Sequence, residues 1–593
     1  MTDLERRVLA DIDLNVPWSL VETFSGMVRE HPSDVDAAVD VLVERLRGFG
    51  IPVTVHEPDL YLSIPKEAGV TADGRTFRAK PPAGCASAPD GVEAELIHVP
   101  AGYASTADDV FGDLDAGEDV KRAVAGRIVI SEGYANPANV SKFQEWGAVA
   151  VIAINPGEYV HWGTCTTVWG NPGLDDVDRI PRIPAVNVNR PDGDALLELA
   201  AAGGRASVRT VMEEGWFRSK LPVVEIRGND EPDAFVLLHG HIDSWDVGVG
   251  DNATGDATML EVARVLHAHR DQLKRSVRIA WWPGHSTGRY AGSTWYADAF
   301  ALELDEGCVA QIDCDSPGCR WATEYTGVSH TAETRDFAAR VIEEITGKRM
   351  EGARAHQAGD YSFNNIGISG HFMLLSTMPD DLRAEKGYYA VGGCGANIEW
   401  HTEFDTMEIA DRDILLADVE IYLLSVLRHA TADVVDFDWR ATADEFADTI
   451  RAYQSAAGDS FDLAPAAEAV QELRRALDAF YAGVEDGTVP ATAANETIRR
   501  LARTLIPVNF TREPRFWHDP ALTIPPLPDL AVALELDRFD DRVRGFARTT
   551  LLRARNRFVA ALRDARREIA RSGAAAADAA DSPPLAPVGG GVS

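Results

Sequence analysis

The chain has 593 residues, of which 45% are hydrophobic and 25% charged, the balance of an ordinary globular protein with about three or four domains. Its net charge of −36 argues against nucleic acid as a partner, because so acidic a chain is poorly suited to neutralise phosphates, and against acidic membranes. No apolar run reaches the roughly 18 residues of a membrane span, and the start, MTDLERRVLADIDLNVPW, has no apolar signal segment. Six cysteines at 85, 165, 308, 314, 319 and 394 are scattered over the chain. That is no disulfide framework, and a reducing cytoplasm is the simplest setting. Cys308, Cys314 and Cys319 are close enough in sequence for a metal role, although small buried hydrophobes are the commoner reading.

Residues 1–90 open with helical periodicity. Val35, Ala38, Val39, Leu42 and Leu46 share one face, and Gly48 and Gly50 end the run. The strand-like IPVTVHEPDLYLSI follows. This reads as the N-terminal part of an α/β catalytic domain. Residues 91–215 carry short β-like runs around one helix, ANVSKFQEWGA. Their stretch GRIVISEGYANPANVSKFQEWGAVAVIAINPGE resembles the protease-associated domain, a small β-rich insertion that acts as a lid in peptidase families. The resemblance carries no catalytic residues, and a purely structural insertion is the other reading.

Residues 216–435 return to an α/β pattern built around FVLLHGHIDSWDVGVGDNATGDATMLEVARVL. The run Phe235 to Leu238 suits a strand buried on both faces. His241 and Asp243 follow at its carboxyl end, then Asp251-Asn252 in a Gly-rich loop. A helix starts near Thr254, with Met259, Leu260, Ala263 and Leu266 on one face. Open α/β sheets bind ligands outside the carboxyl ends of their strands. Imidazole with carboxylate suits zinc or another divalent transition metal. Three further strands end in polar residues. SVRIAWW leads to His285 and Ser286, CVAQIDC leads to Asp315, and HFMLL follows Gly359-Asp360. A separate segment, Asn397 to Thr402, precedes a helix expected at about 411–428. Repeated polar strand ends are strong evidence for a site, since each would otherwise be an unpaired group. Residues 436–571 read as a helical domain broken by IPPLPDL, and residues 572–593 as a disordered tail.

HGHIDSW followed by GDNATGDATMLEVARVL resembles the M28 family of zinc peptidases. The layout of insertion and C-terminal helices resembles the branch that holds glutamate carboxypeptidase II and the transferrin receptor. The resemblance implies a mainly parallel mixed sheet sandwiched by helices, a β-rich insertion and a helical dimerisation domain, hence a homodimer. It also implies one or two zinc ions. By motif position His241 and Asp315 would hold the first, His401 the second, and Asp251 would bridge them. A cis peptide is expected at Asp251-Asn252, and Asp243 would orient His241.

The family has a Glu-Glu pair at the second strand end, as general base and metal ligand. Here WWPGHSTGRYAGS offers His285 and Ser286 counting from Trp282, or Ser286 and Thr287 counting back from Gly292-Ser293, and no Glu in either register. His285 is therefore read as the base, as a metal ligand or as a polar filler. An imidazole titrates near neutral pH, where a base works best. Asp360, Trp400 and Arg289 are supporting candidates, and Arg289, Arg320 or Arg354 could meet a carboxylate. The resulting expectation is a metal-dependent hydrolase of an amide or related C–N bond in a small molecule or peptide. The alternative is a non-catalytic binding or assembly protein that keeps the fold.

Overall fold

A computed structural model describes residues 1–106, 110, 112, 114, 116–355 and 358–573. It divides into two compact units, Met1–Ala432 with Glu513–Ile524, and Asp433–Arg512 with Pro525–Ser593. Most of the tail expected at 572–593 lies outside the described residues.

An eight-stranded sheet organises the first unit. At its centre Glu231–His241 pairs in parallel with Arg275–Trp282 and with Cys308–Asp313. Leu221–Ile226 and Val53–His56 extend one side antiparallel. The short strands Gly370–His371, Ser329–His330 and Ala353–Arg354 extend the other. Val236, Leu237 and Leu238 are fully buried, as a strand covered on both faces requires. Phe235 and Leu237 pack with Tyr296 and Leu304, from the helices Ala291–Ala299 and Ala301–Gly307. The helices Thr254–Ala268 and Arg412–Thr431 also pack on the central strands. Arg412–Thr431 begins at Asp411, whose carboxylate accepts the N–H groups of Asp413 and Ile414, satisfying two donors that the helix leaves open. Leu415, Val419, Tyr422, Leu423 and Val426 then bury its inner side.

A seven-stranded mixed sheet forms the rest of the first unit. Its last four strands, Ala88–His98, Ile128–Glu132, Ala150–Ile154 and Ala185–Val188, run parallel. Here the expected domain boundary at residue 90 is corrected. Asp59–Ala72 and Arg75–Arg78 pair in this second sheet, so of the first 90 residues only Val53–His56 joins the first sheet. The reason lies in one long strand that serves two cores. Leu60, Leu62 and Ile64 pack on Ala291, whereas Val70 and Ala72 lie in the core of the second sheet. The far limit also shifts, because Arg205–Arg218 runs past residue 215. The strand expected at HFMLL shortens to Gly370–His371. Phe372 has φ +73°, a left-handed conformation that breaks strand geometry.

The second unit is helical, with Trp439–Ala457, Ala464–Glu485, Ala491–Phe510 and Asp541–Arg571. Phe446, Leu473, Leu477, Leu505 and Phe558 are buried in it. Phe446 and Phe558 meet edge to face at 5.5 Å. The helical segment expected as a single block at 436–571 is interrupted. Residues 513–524 belong to the first unit, where Asp519 accepts from Asn365 and His518 meets Asp298. No helix among the described residues is long and apolar enough to cross a membrane.

Candidate metal centre

The central strand ends at His241. Its Nδ1 donates to the Asp243 carbonyl at 2.8 Å, which leaves Nε2 to face the carboxylates. That atom lies 3.0 Å from Asp251 Oδ1 and 3.6 Å from Asp315 Oδ2. On the other side of Asp251, His401 Nε2 lies 3.1 Å from Oδ2. His401 Nδ1 faces the Trp162 carbonyl at 3.1 Å. Asp251 is held in place by Asp405, which accepts the main-chain N–H groups of Gly250 and Asp251 at 2.7 and 3.0 Å. The Asp251-Asn252 peptide is cis.

Two imidazoles thus turn their Nε2 atoms toward opposite oxygens of one buried carboxylate. His241 Nε2 and Asp251 Oδ1 are buried without an aligned hydrogen bond among the described residues, and a buried polar atom left that way is costly. Only a proton or a cation reconciles them. Burial alone would pull the His241 pKa down, but the Asp251 and Asp315 carboxylates more than reverse it and hold it well above its usual value. Burial would likewise raise Asp251, and His241 and His401 outweigh it and hold that carboxyl well below its usual range. A divalent cation fits the same position with nitrogen and oxygen ligands, as zinc prefers. His241, His285 and Asp315 also bring ligand atoms within 4.8 Å of one another.

His285 stands at the end of Arg275–Trp282 and stacks on His241, with ring centroids 3.8 Å apart and planes 15° from parallel. Its Nδ1 meets Asp360 Oδ2 at 2.9 Å. Asp360 also accepts from Ser293 Oγ at 2.5 Å. Burial would raise the Asp360 carboxyl, yet His285 and the other donors hold it below its usual value. Asp360 is therefore an anion that keeps the His285 proton on Nδ1 and turns Nε2 toward the pocket. The expected role of Asp243 needs correction. Its main-chain carbonyl orients His241, while its carboxylate accepts the N–H groups of His285 and Ser286, each at 2.9 Å. The short connection between His241 and Asp243 leaves the backbone oxygen, not the carboxylate, opposite the imidazole.

A pocket is lined by Asp251, His285, Ser286, Asp315, Trp400 and His401, and Arg289 reaches its wall. Trp400 stacks on His401 at 3.7 Å. The other candidates fall elsewhere. Arg320 donates to Asn397 and Glu399, and Arg354 lies on the edge strand Ala353–Arg354. Cys308, Cys314 and Cys319 are buried thiols that face main-chain carbonyls.

Sequence reasoning missed what the second sheet contributes. Trp162 donates its N–H to the His401 carbonyl at 2.8 Å and receives His401 Nδ1 in return. His161 Nδ1 lies 2.7 Å from the Trp400 carbonyl, and Trp162 stacks on Trp245 at 5.3 Å. No spacing signal points to these residues, because they lie some 240 positions away from the pair they hold. Asp405 was the more accessible omission, since it sits in the EFDT run just after His401.

Residues 223–425 match the model of peptidase family M28. Carboxypeptidase Q of Bos taurus is 23% identical over 281 residues, covering 44% of this chain and 56% of that protein. A probable glutamate carboxypeptidase of Zea mays is 23% identical over 498 residues, covering 71% of this chain and 67% of the relative. Among solved structures, a zinc aminopeptidase from Bacillus subtilis superposes with a TM-score of 0.53 at 17% identity, covering 72% of this chain and 98% of its own. An aminopeptidase from Aneurinibacillus sp. strain AM-1 gives 0.50 at 19% identity, covering 72% and 96%. Sequence and fold therefore agree that residues 223–425 are similar to peptidase family M28, on the mixed α/β fold of the zinc aminopeptidases.

Proposed function

We propose that this protein is a metal-dependent hydrolase of the M28 peptidase type, acting on an amide or related C–N bond of a small molecule or peptide. The observation that carries this reading is the pair His241 and His401, each with Nδ1 on a main-chain carbonyl and Nε2 toward one oxygen of Asp251. His241, Asp251, Asp315 and His401 would hold one or two divalent ions, zinc being the best match to the donors. When bound, such an ion supplies Lewis acidity at the reacting carbonyl.

The chain's own groups do the rest. His285 Nε2 takes the proton of the attacking water as the new C–O bond forms. It then returns that proton to the leaving nitrogen as the C–N bond breaks. Asp360 steadies the imidazolium that exists between the two transfers, and Asp243 fixes the 285–286 turn. The aromatic walls, Trp400 among them, limit access of bulk water to the reacting atoms.

A second reading of His285 is supported by its ligand atom lying within 4.8 Å of those of His241 and Asp315. On that reading Asp360, His285 and the ion form the carboxylate–histidine–metal arrangement common in such sites. The deciding experiment measures amide hydrolysis and metal content of the purified full chain together. Turnover that disappears on chelation and returns with zinc supports the hydrolase. A stoichiometric metal without turnover on any peptide or acylated amine favours a binding or assembly role.

A further inference from the structure

Arg29 follows the helix Asn15–Phe24 and is fully buried. Among the described residues its guanidinium donates to main-chain carbonyls alone. Nε reaches the Ile242 oxygen at 2.8 Å, and Nη2 reaches the Gly248 oxygen at 3.1 Å. Nη1 meets the Val247 oxygen at 2.8 Å and those of Phe24 and Met27 at 3.3 Å. Ile242, Val247 and Gly248 belong to the loop that leads from His241 to Asp251. The main chain adds two ties to that loop. Ser244 donates its N–H to the Arg29 carbonyl at 3.0 Å, and Arg29 donates its own to the Asp246 carbonyl at 3.4 Å. Glu30 then accepts the Asp246 N–H at 2.7 Å.

A cation buried so deeply is normally set against a carboxylate. Arg275 is equally buried and has Glu231 at 3.1 Å. Arg29 makes no ion pair among the described residues. Burial pulls its pKa down, and only the more distant Asp256, Asp243, Asp405 and Asp251 carboxylates oppose that. What the guanidinium supplies instead is reach in fixed directions, because its N–H groups form a rigid planar fork. One fork joins the start of the loop at Ile242 to its end at Val247 and Gly248. Between them Asp246 has φ +52°, a conformation that a non-glycine residue keeps where its surroundings enforce it. The guanidinium itself is seated 4.8 Å from the centroid of the Phe24 ring.

We propose that Arg29 is a positioning residue of the metal centre, which fixes residues 242–248 so that His241 and Asp251 hold their 3.0 Å approach before an ion is bound. The inference rests on the metal-binding part of the hydrolase reading and gives Arg29 no contact with ion or substrate. A loop already ordered in the folded chain loses less freedom on binding, so the ion is held more tightly.

The test uses the full chain stripped of metal by chelation, with zinc affinity measured by competition against a chromophoric chelator. Arg29→Lys keeps the charge, but its single nitrogen cannot span both ends of the loop. It should weaken zinc by about 10–100-fold, the usual effect of removing a group that orients a ligand. Arg29→Met should weaken it further. Arg275→Lys is the control, and it should lower the melting temperature while leaving zinc affinity at the wild-type value. Hydrogen exchange supplies a readout on the wild type itself. The amides of Ser244, Val249, Gly250 and Asp251 should be protected in the metal-free protein, and in metal-free Arg29→Lys they should exchange fast until zinc is added. Wild-type zinc affinity in folded Arg29→Lys overturns the proposal, as does an equal loss in Arg275→Lys. Loop amides of the wild type that gain protection only with zinc overturn it too, and that result decides the matter if neither Arg29 variant folds. The metal reading fails separately, when the wild-type chain binds no zinc at all, and the proposal then falls with it.

Discussion

His285 lies flat against His241, 3.8 Å between ring centroids, while its outer nitrogen is held by Asp360 at 2.9 Å. The stack brings ligand atoms of both rings and of Asp315 within 4.8 Å of one another. A base or a ligand delivered from the end of Arg275–Trp282 therefore reaches the same space as the metal-type residue at the end of the neighbouring strand. His285→Ala distinguishes the two roles. If His285 is the base, activity should fall by about 10²–10⁴ with metal content intact. If it is a ligand, metal occupancy should fall instead, and excess metal should restore part of the activity. Activity that survives at full occupancy removes His285 from the mechanism. Asp360→Asn should reproduce a milder form of whichever loss is seen, because the imidazole keeps its place but loses its anionic partner.

The full chain should purify with a divalent transition metal, most plainly zinc. His241→Ala and Asp251→Ala should each reduce the bound metal, and Asp251→Ala more severely because both imidazoles face it. Elemental analysis with less than about a tenth of an equivalent, even after metal addition, would count decisively against the ligand set.

Asp256 gives a stability prediction. It lies fully buried in the helix Thr254–Ala268, and neither of its carboxyl oxygens has a hydrogen-bond partner among the described residues. Burial is the main cause that pushes its pKa up to about 8, and nearby Arg29 only partly opposes this. A folded pKa above the unfolded one means that the folded state holds the proton. Its contribution is then fully present below the unfolded pKa, about 3.9, and is lost as pH rises through about 8. The melting temperature of the chelated protein should accordingly fall between pH 5 and pH 9, on the order of the titration range of this group. Asp256→Asn should flatten that alkaline decline. Asp256→Val should in addition raise stability near pH 8 by about 1–3 kcal/mol, since a buried polar group without a partner disappears. Identical pH profiles for wild type and Asp256→Asn would show that another group governs the decline.

The full chain is expected to form a homodimer through the helical unit. Its long helix Asp541–Arg571 leaves Val543 and Phe546 exposed about one turn apart, Phe546 at 62%, and exposed apolar side chains of that kind favour a partner surface. Sedimentation at micromolar concentration should give twice the chain mass. Phe546→Glu should shift the protein toward monomer without lowering its melting temperature. A monomer with the wild-type chain intact would reject the expectation.

Much of this protein was legible in its residues alone. The apolar run ending at His241, the helical spacing after Asp251 and the polar residues at successive strand ends are local patterns, and local patterns survive in a sequence. They were enough to expect a helix-covered parallel sheet with a site at its strand ends, while the resemblance to the M28 family implied the set His241, Asp251, Asp315 and His401; in the structure both imidazoles face Asp251, and Asp315 faces His241. The periodicity of residues 436–571 likewise announced helices. What the residues could not announce were relations between distant segments. The strand Asp59–Ala72 is one uninterrupted extended run whose two ends serve different cores, and its membership depends on pairing partners far along the chain. The Asp243 carbonyl, rather than its carboxylate, orients His241 because main-chain geometry over two residues decides which oxygen faces the ring. Trp162 completes His401 through backbone hydrogen bonds, which leave no trace in side-chain identity. Arg29 lies 213 positions before Ile242, and only tertiary packing sets its guanidinium against the loop it holds. Side-chain type and spacing thus determined which chemistry was available, while long-range packing and main-chain hydrogen bonding decided which atoms face one another.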